Sequence, residues 1–295
     1  MSTVTRAAGL VLCTLAFGPA PAYGQRGLLS EFGAWRDPSV AMVIGKVVKV
    51  TPPRQSLSQA PSLDAKVYYE FQVSEWLKPR DSGLPRSITI AETWGATDTP
   101  VLAPGVEVVL FLQKSGDHFH SLREIYLDSP AGEGTLRGMR LFLRVMYTAD
   151  RVQRRQVCLD SWNDTLSDPE KMAVLDAMWE TRDSDYSKPL LAIALGNDSP
   201  PVREWALTIL GSEDQSEDVT RLVPLLLREP ECGVKRQLLG VFGVYRVREA
   251  LPAIDEFLAG DAAGQCPGPG GTLRERAQEA RDKITGKETR AGWRY

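Results

Sequence analysis

Val-Arg-Glu-Trp-Ala-Leu-Thr-Ile-Leu-Gly at 202–211 aligns with Val-Lys-Arg-Gln-Leu-Leu-Gly-Val-Phe-Gly at 234–243, and Leu-Arg-Glu-Arg-Ala at 273–277 begins a third copy. Each copy follows an apolar segment in which a proline precedes two apolar residues: Pro189, Pro224 and Pro252. The apolar spacing within the copies predicts three helix pairs. A single pair cannot bury its apolar stripe, so we expect the pairs to stack side by side and share one core.

The three predicted pairs resemble HEAT repeats, in which a first helix with a proline is joined by a short turn to a second helix. The resemblance covers Ser187–Thr285. It implies an α-solenoid over residues 161–286, with Pro169–Arg182 as a capping helix and 287–295 as a tail. Proline inside a helix costs about 3 kcal/mol, so its recurrence predicts a bend that belongs to the packing. An irregular helical bundle is the alternative arrangement.

Upstream of the helical repeat, apolar and polar residues alternate with a period of two. Val67, Tyr69, Phe71 and Val73 alternate with polar neighbours, which is typical of a half-buried strand. About five strands are predicted, the first with a bulge or a close backbone approach at Gly45. Closure into a small antiparallel barrel would protect the edges of such a sheet. The fold class is therefore α+β, with a β-barrel unit over residues 36–160 and the helical unit after it.

Three stretches of this unit resemble the OB-like barrel of netrin and metalloprotease-inhibitor modules in exported bacterial proteins: 43–50, 70–78 and 102–112. The resemblance covers about 90 residues and rests on pattern more than on rare residues. Inhibitors of that type place an N-terminal cysteine on the zinc of the protease. The predicted mature chain has no cysteine before Cys158, so inhibition by that mechanism is not expected.

An additional hairpin, Met139–Tyr147 paired with Val152–Leu159, is predicted at the end of the barrel unit. Residues 137–155 contain six arginines and one acid, Asp150. A strand face with these arginines could bind phosphate or an anionic polymer, and the residues expected to do so are Arg140, Arg144, Arg154 and Arg155. The alternative is a solvated outer strand opposite the acidic stretch 160–185.

The first 24 residues have the pattern of a secretory signal. Arg6 precedes a short apolar run, Ala7–Phe17, and Ala22-Tyr23-Gly24 forms a small-x-small cleavage site, so the mature chain is expected to begin at Gln25. A membrane anchor is the alternative, but the run is shorter than the roughly 20 residues of a spanning helix. Cys13 suggests a lipoprotein signal, although Leu12 before it is bulky. We expect an exported protein, periplasmic or extracellular, without a membrane span.

Export would leave three cysteines in an oxidising compartment: Cys158, Cys232 and Cys266. At most one internal pair can then form. In a HEAT-like stack, Cys232 and Cys266 fall in the turns of consecutive pairs, which lie along one edge. The resemblance therefore implies a Cys232–Cys266 disulfide that contributes roughly 3–4 kcal/mol. Cys158 would remain a free thiol, buried and unreactive.

No catalytic motif accompanies the two histidines of the chain, His118 and His120. Strand alternation places both on one face, where they could supply two metal ligands. A zinc site needs three or four ligands, and no second cluster in the sequence completes it. The chain has no nucleophile elbow, Walker loop, dinucleotide fingerprint or Cys-x-x-Cys pair. Neither catalysis nor a bound cofactor is expected.

The amino-acid composition limits the classes of partner that the protein can have. The 295 residues are 43% hydrophobic and 25% charged with a formal net charge of −3, which suits a globular chain and not a dedicated nucleic-acid binder. Because solenoids present extended surfaces, we expect a non-catalytic protein-binding or scaffold module. The alternatives are a metal-dependent hydrolase centred on His118 and His120, and a binder of anionic envelope polymer. The oligomeric state is left open.

Overall fold

The chain is a mixed α+β structure in which a sheet precedes a series of helices. The computed structural model describes residues 37, 39–51, 65–78, 83–93, 102, 104–128, 130–197, 199–212, 219–260, 266 and 271–287. The predicted signal at 1–24, most of the long connection after the first strand, and the tail beyond residue 287 lie outside the described residues. None of the helices in these described ranges is long and apolar enough to cross a membrane.

The sheet has five strands in the described residues: β1 Val40–Thr51, β2 Lys66–Lys78, β3 Ser87–Thr93, β4 Glu107–Ser115 and β5 His118–Tyr126. Their order is β1-β2-β3-β5-β4, and β4 pairs with β1, so the pairings form a ring. The junction of β3 with β5 is a single parallel residue pair, Ile90 with Phe119, whereas the other pairings between these five strands are antiparallel and longer.

The predicted alternation of buried and exposed residues in β2 and the predicted close backbone approach at Gly45 of β1 are confirmed. In β2 the residues of the apolar set are buried and their neighbours are exposed, because successive side chains of a strand point to opposite faces. The pairing of β1 with β2 shifts register between Ile44 and Gly45. A Cβ atom at Gly45 would lie 2.1 Å from the carbonyl oxygen of Gln72, so the two strands can approach this closely only at glycine.

The described residues contain nine α-helices: α1 Pro130–Met146, α2 Arg151–Ser161, α3 Asp168–Thr181, α4 Ser187–Gly196, α5 Pro200–Leu210, α6 Leu225–Arg228, α7 Cys232–Tyr245, α8 Leu251–Ala259 and α9 Leu273–Thr285. The starts of α3 and α9 are fixed by capping boxes, Ser167 with Glu170 and Thr272 with Glu275. In each box a hydroxyl and a carboxylate bond the free N–H groups of the first turn.

The predicted hairpin at 139–159 is wrong, because this segment forms α1 and α2. Phe142, which strand alternation would place with the arginines on the outer face, is fully buried. Met139, Leu143 and Met146 are buried with it, and together these positions follow the i, i+3, i+4, i+7 spacing of a helix. The division at residue 160 falls inside α2, so helical structure begins 31 residues earlier than predicted, at Pro130 instead of 161.

The helices lie in two layers. In one layer α1, α3, α5, α7 and α9 contact one another in succession, and in the other α4 packs on α5 while α8 packs on α9 and on the short α6. Val202, Val234 and Leu273 are fully buried in one apolar core, at the start of α5, α7 and α9 respectively. That core continues into β1 and β4 through Met42 and Phe111, so strands and helices share it.

The prolines do not bend the middle of any helix, contrary to the prediction. Pro189 is the third residue of α4, Pro224 is the N-cap of α6, and Pro252 is the second residue of α8. A short 3₁₀ turn comes shortly before each: Ser184–Tyr186, Val219–Leu222 and Arg248–Ala250. A proline in the first turn loses no intrahelical hydrogen bond, so it marks where each helix begins.

Candidate functional site: an arginine-lined hollow

Two of the four arginines predicted to bind anions lie in a surface hollow between the start of α2 and the end of α3. Arg154 and Arg155 line it together with Arg151 and Arg182, and its volume is about 420 Å³. The other two predicted arginines lie elsewhere on α1, because the segment is helical. Arg140 forms an ion pair with Glu75 of β2, and Arg144 is exposed. The predicted continuous arginine face is therefore divided.

Local sequence fixes the position of two of the hollow's guanidinium groups. Asp150 caps α2 by accepting from the N–H of Gln153, so α2 begins where its arginines face the hollow. The Arg154 guanidinium donates to the carbonyl of Thr148 at 2.9 Å, which ties the arginine to the turn before the helix. Arg182 ends α3 in a left-handed conformation, with φ of 45°, and its guanidinium lies 5.0 Å from the ring of Trp179.

Acidic side chains neutralise part of the positive charge of the arginines in the hollow. Asp183, whose side chain is 11% exposed, lies 3.7 Å from Arg151 and 3.8 Å from Arg155. Arg155 also forms a close ion pair with Asp185. Four arginines thus face Glu180 and Asp183 in the lining, with Asp185 beside them. Each guanidinium has five N–H donors in a planar fork, so these pairs leave donors able to hold a carboxylate in two-point contact.

The floor of the hollow is buried and chemically inert. Tyr186 lines it, is fully buried, and accepts a hydrogen bond from the Thr181 hydroxyl at 3.0 Å. Beneath it the free thiol of Cys158 is also fully buried, and burial raises the pKa of Cys158 to about 12. Burial likewise raises the pKa of Tyr186. Neither group ionises at neutral pH, so neither can act as a nucleophile or a base there.

The two histidines lie far along the chain from this hollow, at the start of β5. His118 packs edge-on against Tyr68 with ring centres 5.4 Å apart, while Phe119 between the histidines contacts Trp76. The nearby Glu92 is buried and accepts from the backbone N–H of Ser121. Within the part of the chain that the structure describes, no three His, Cys, Asp or Glu side chains are grouped so that they could hold a metal.

A second concavity, of about 700 Å³, lies between β2, residues 83–86 and α1. Trp76 lines it and donates from its indole N–H to the carbonyl of Pro85 at 3.0 Å. Arg140 reaches it from α1 and is paired there with Glu75. This groove was not predicted, because it depends on α1 packing beside β2.

A row of partly exposed polar side chains crosses three successive helices of the layer that contains α5, α7 and α9. Glu204 of α5 forms a hydrogen bond with Gln237 of α7. Arg276 of α9 passes over Gly240 of α7 and donates to Glu279, which also accepts from Lys283. We call these residues the polar row: Glu204, Gln237, Arg276, Glu279 and Lys283.

The end of the stack is held by a covalent bond and by backbone contacts. Cys232, the first residue of α7, is disulfide-bonded to Cys266 with a Cα–Cα distance of 5.9 Å. Arg236 of α7 donates to the carbonyl of Cys266 at 3.4 Å and to that of Gly271 at 3.0 Å. These contacts fasten Cys266 and Gly271 against α7.

Two residues of the hollow, Arg151 and Arg182, were not among the predicted site residues. Arg151 lies in the same arginine-rich stretch and would have been found had that stretch been recognised as a helix. Arg182 comes from a different helix, and no local signal in the sequence joins the two. Comparison of the chain with protein-family models, curated proteins and solved structures finds no match.

Proposed function

We propose that this chain is an exported, non-catalytic protein-binding module, built from an OB-like β-barrel and a HEAT-type α-solenoid. The closed order of strand pairings supports the barrel, and the repeated succession of helices in two layers supports the solenoid. The sequence pattern at 1–24 supports export.

The observation that carries the proposal is the continuous layer formed by α3, α5, α7 and α9. These helices contact one another in succession and share one core, and the partly exposed polar row crosses α5, α7 and α9. A hydrogen bond between Glu204 of α5 and Gln237 of α7 joins two neighbouring helices, and Glu279 holds Arg276 and Lys283 in place through ion pairs within α9. A surface whose donors and acceptors are fixed loses little conformational entropy when a partner binds.

A non-catalytic role is supported by the chemistry of the titratable groups. The thiol of Cys158 lies in the core with a raised pKa. His118 and His120 are at a strand start beside a hairpin turn, where His118 packs against Tyr68. General acid–base catalysis needs a titratable side chain within hydrogen-bond reach of a bound substrate, and the buried Cys158 thiol is not in such a position.

The test is affinity capture from an envelope fraction with the full-length mature chain as bait. The Arg276→Gln, Lys283→Gln double variant removes two positive charges from the polar row. The Lys188→Gln, Arg248→Gln double variant removes two exposed positive charges from the opposite layer and is the matched control. We expect the first variant to lose the captured protein and the second to retain it. Equal capture by both variants, or no specific capture by the unchanged chain, would contradict the proposal.

Export is tested separately on protein expressed in a bacterial host with its complete N-terminal segment. We expect it in the envelope or the medium, with a mature N-terminus at Gln25 by intact-mass measurement. Retention of the full 295 residues inside the cell would contradict export.

A further inference from the structure

We propose that the arginine-lined hollow is the anchor point for an acidic segment of the protein partner, whose carboxylate side chains enter it. This inference rests on the proposed function and adds the chemistry of the partner. Four arginines, three from α2 and one at the end of α3, line one volume of about 420 Å³. That volume accommodates one or two carboxylate side chains and their contact waters.

The guanidinium groups divide into two kinds. Arg154 and Arg155 are partly buried and are fixed by neighbouring carbonyl and carboxylate oxygens. Arg151 and Arg182 are exposed at the rim; Arg182 contacts the Trp179 ring, and the Arg151 side chain is 75% exposed. Fixed donors inside the hollow and accessible donors at its rim provide a pre-organised fork for a carboxylate group.

The distribution of charge favours an acidic peptide over an anionic polymer. A polymer needs a track of cations, since its affinity is a sum over many phosphates or carboxylates. Arg140 and Arg144 lie outside the hollow, and Arg140 is already paired with Glu75, so these arginines do not form such a track. Glu180 and Asp183 in the lining and Asp185 beside it would repel the adjacent charges of a polymer, whereas a single carboxylate can enter on the side of the exposed Arg151 and Arg182.

The probe is a fluorescein-labelled pentaglutamate peptide, titrated with the full-length mature chain and followed by fluorescence anisotropy. The Arg151→Gln, Arg182→Gln double variant removes both rim charges. The Arg144→Gln, Arg221→Gln variant removes two exposed arginines outside the hollow and is the control. We expect the dissociation constant to rise at least tenfold in the first variant and less than twofold in the control.

Arg182→Gly separates the loss of the guanidinium from an effect on the backbone. Glycine adopts a φ of 45° without strain, so this variant keeps the end of α3 intact while the side chain is absent. We expect it to weaken peptide binding several-fold with an unchanged circular dichroism spectrum. Affinity should also fall as salt is raised from 50 to about 300 mM, because exposed ion pairs are screened.

Three results would overturn the proposal. The first is equal peptide affinity in the rim variant (Arg151→Gln, Arg182→Gln) and the control, and the second is no measurable peptide binding by the unchanged chain. The third is a polyphosphate probe that binds tenfold more tightly than the peptide and whose binding is lost in the rim variant. The last result would assign the hollow to an anionic polymer. If the rim variant still captures the envelope protein while the polar-row variant does not, the hollow proposal fails and the proposed protein-binding function stands.

Discussion

The buried ion pair between Arg203 and Glu229 joins the start of α5 to the segment between α6 and α7. Two N–O contacts, at 2.8 and 3.0 Å, connect side chains that are only 13% and 4% exposed. Replacing Glu229 by leucine removes the carboxylate that pairs with the buried Arg203 guanidinium. The expected loss in the free energy of unfolding is about 3–5 kcal/mol. Arg203→Met should cost about as much, because it leaves the Glu229 carboxylate buried without the guanidinium that it pairs with.

The double variant Arg203→Met, Glu229→Leu distinguishes an ion pair from independent contacts. It leaves neither member of the pair buried without the other, and the further hydrogen bonds lost include those from Arg203 to the carbonyl of Asn197 and from the N–H of Glu231 to Glu229. At about 1 kcal/mol each, these two losses predict a cost of about 2 kcal/mol, less than either single variant. Urea unfolding followed by tryptophan fluorescence gives the three free energies. Costs that simply add, to about 6–10 kcal/mol, would refute the reasoning.

Three further predictions concern single groups. Replacing Cys232 and Cys266 by serine should lower the free energy of unfolding by about 3–4 kcal/mol, because the bond closes a loop with a sequence separation of 34; a loss below about 1 kcal/mol in thermal unfolding would contradict this. Cys158, with its pKa raised to about 12, should react with a thiol reagent at pH 8 only after unfolding, and rapid labelling of the folded chain would show that the thiol is accessible. Burial raises the pKa of the Glu92 carboxyl above its unfolded value, so its charge destabilises the fold at neutral pH and this cost disappears as pH falls through the folded pKa. Glu92→Gln should therefore be more stable than the unchanged chain at pH 7, with the difference shrinking at pH 4; a constant difference in urea unfolding would contradict this.

The parts of the fold that were predicted correctly are those with one unambiguous period. Helices α5 and α7 occupy the two aligned copies, and β2 follows the alternation of its apolar residues. Helix α1 was misassigned because its apolar residues between 139 and 146 fit both a period of two and a period of 3.6. Over so short a window the two periods cannot be separated, and the buried Phe142 was placed on the wrong face.

The features that escaped prediction depend on contacts between distant segments. The 3₁₀ turns before α4, α6 and α8 resemble helix in composition, so each proline was placed in the middle of a helix instead of its first turn. The hollow needs the left-handed end of α3 at Arg182 to face the first turn of α2, and only the packed structure brings these segments together.

Helices α5, α7 and α9 form one stack with a shared core, and native-state hydrogen exchange tests this directly. Leu238 of α7 is fully buried, and its replacement by alanine should remove about 2–5 kcal/mol of packing. In a shared core the amide protection of α5 and α9 should fall together with that of α7, because each helix is stabilised by its neighbours. Lowered protection confined to α7, with α5 and α9 unchanged, would show that the helices are independent and would leave no continuous surface for a partner.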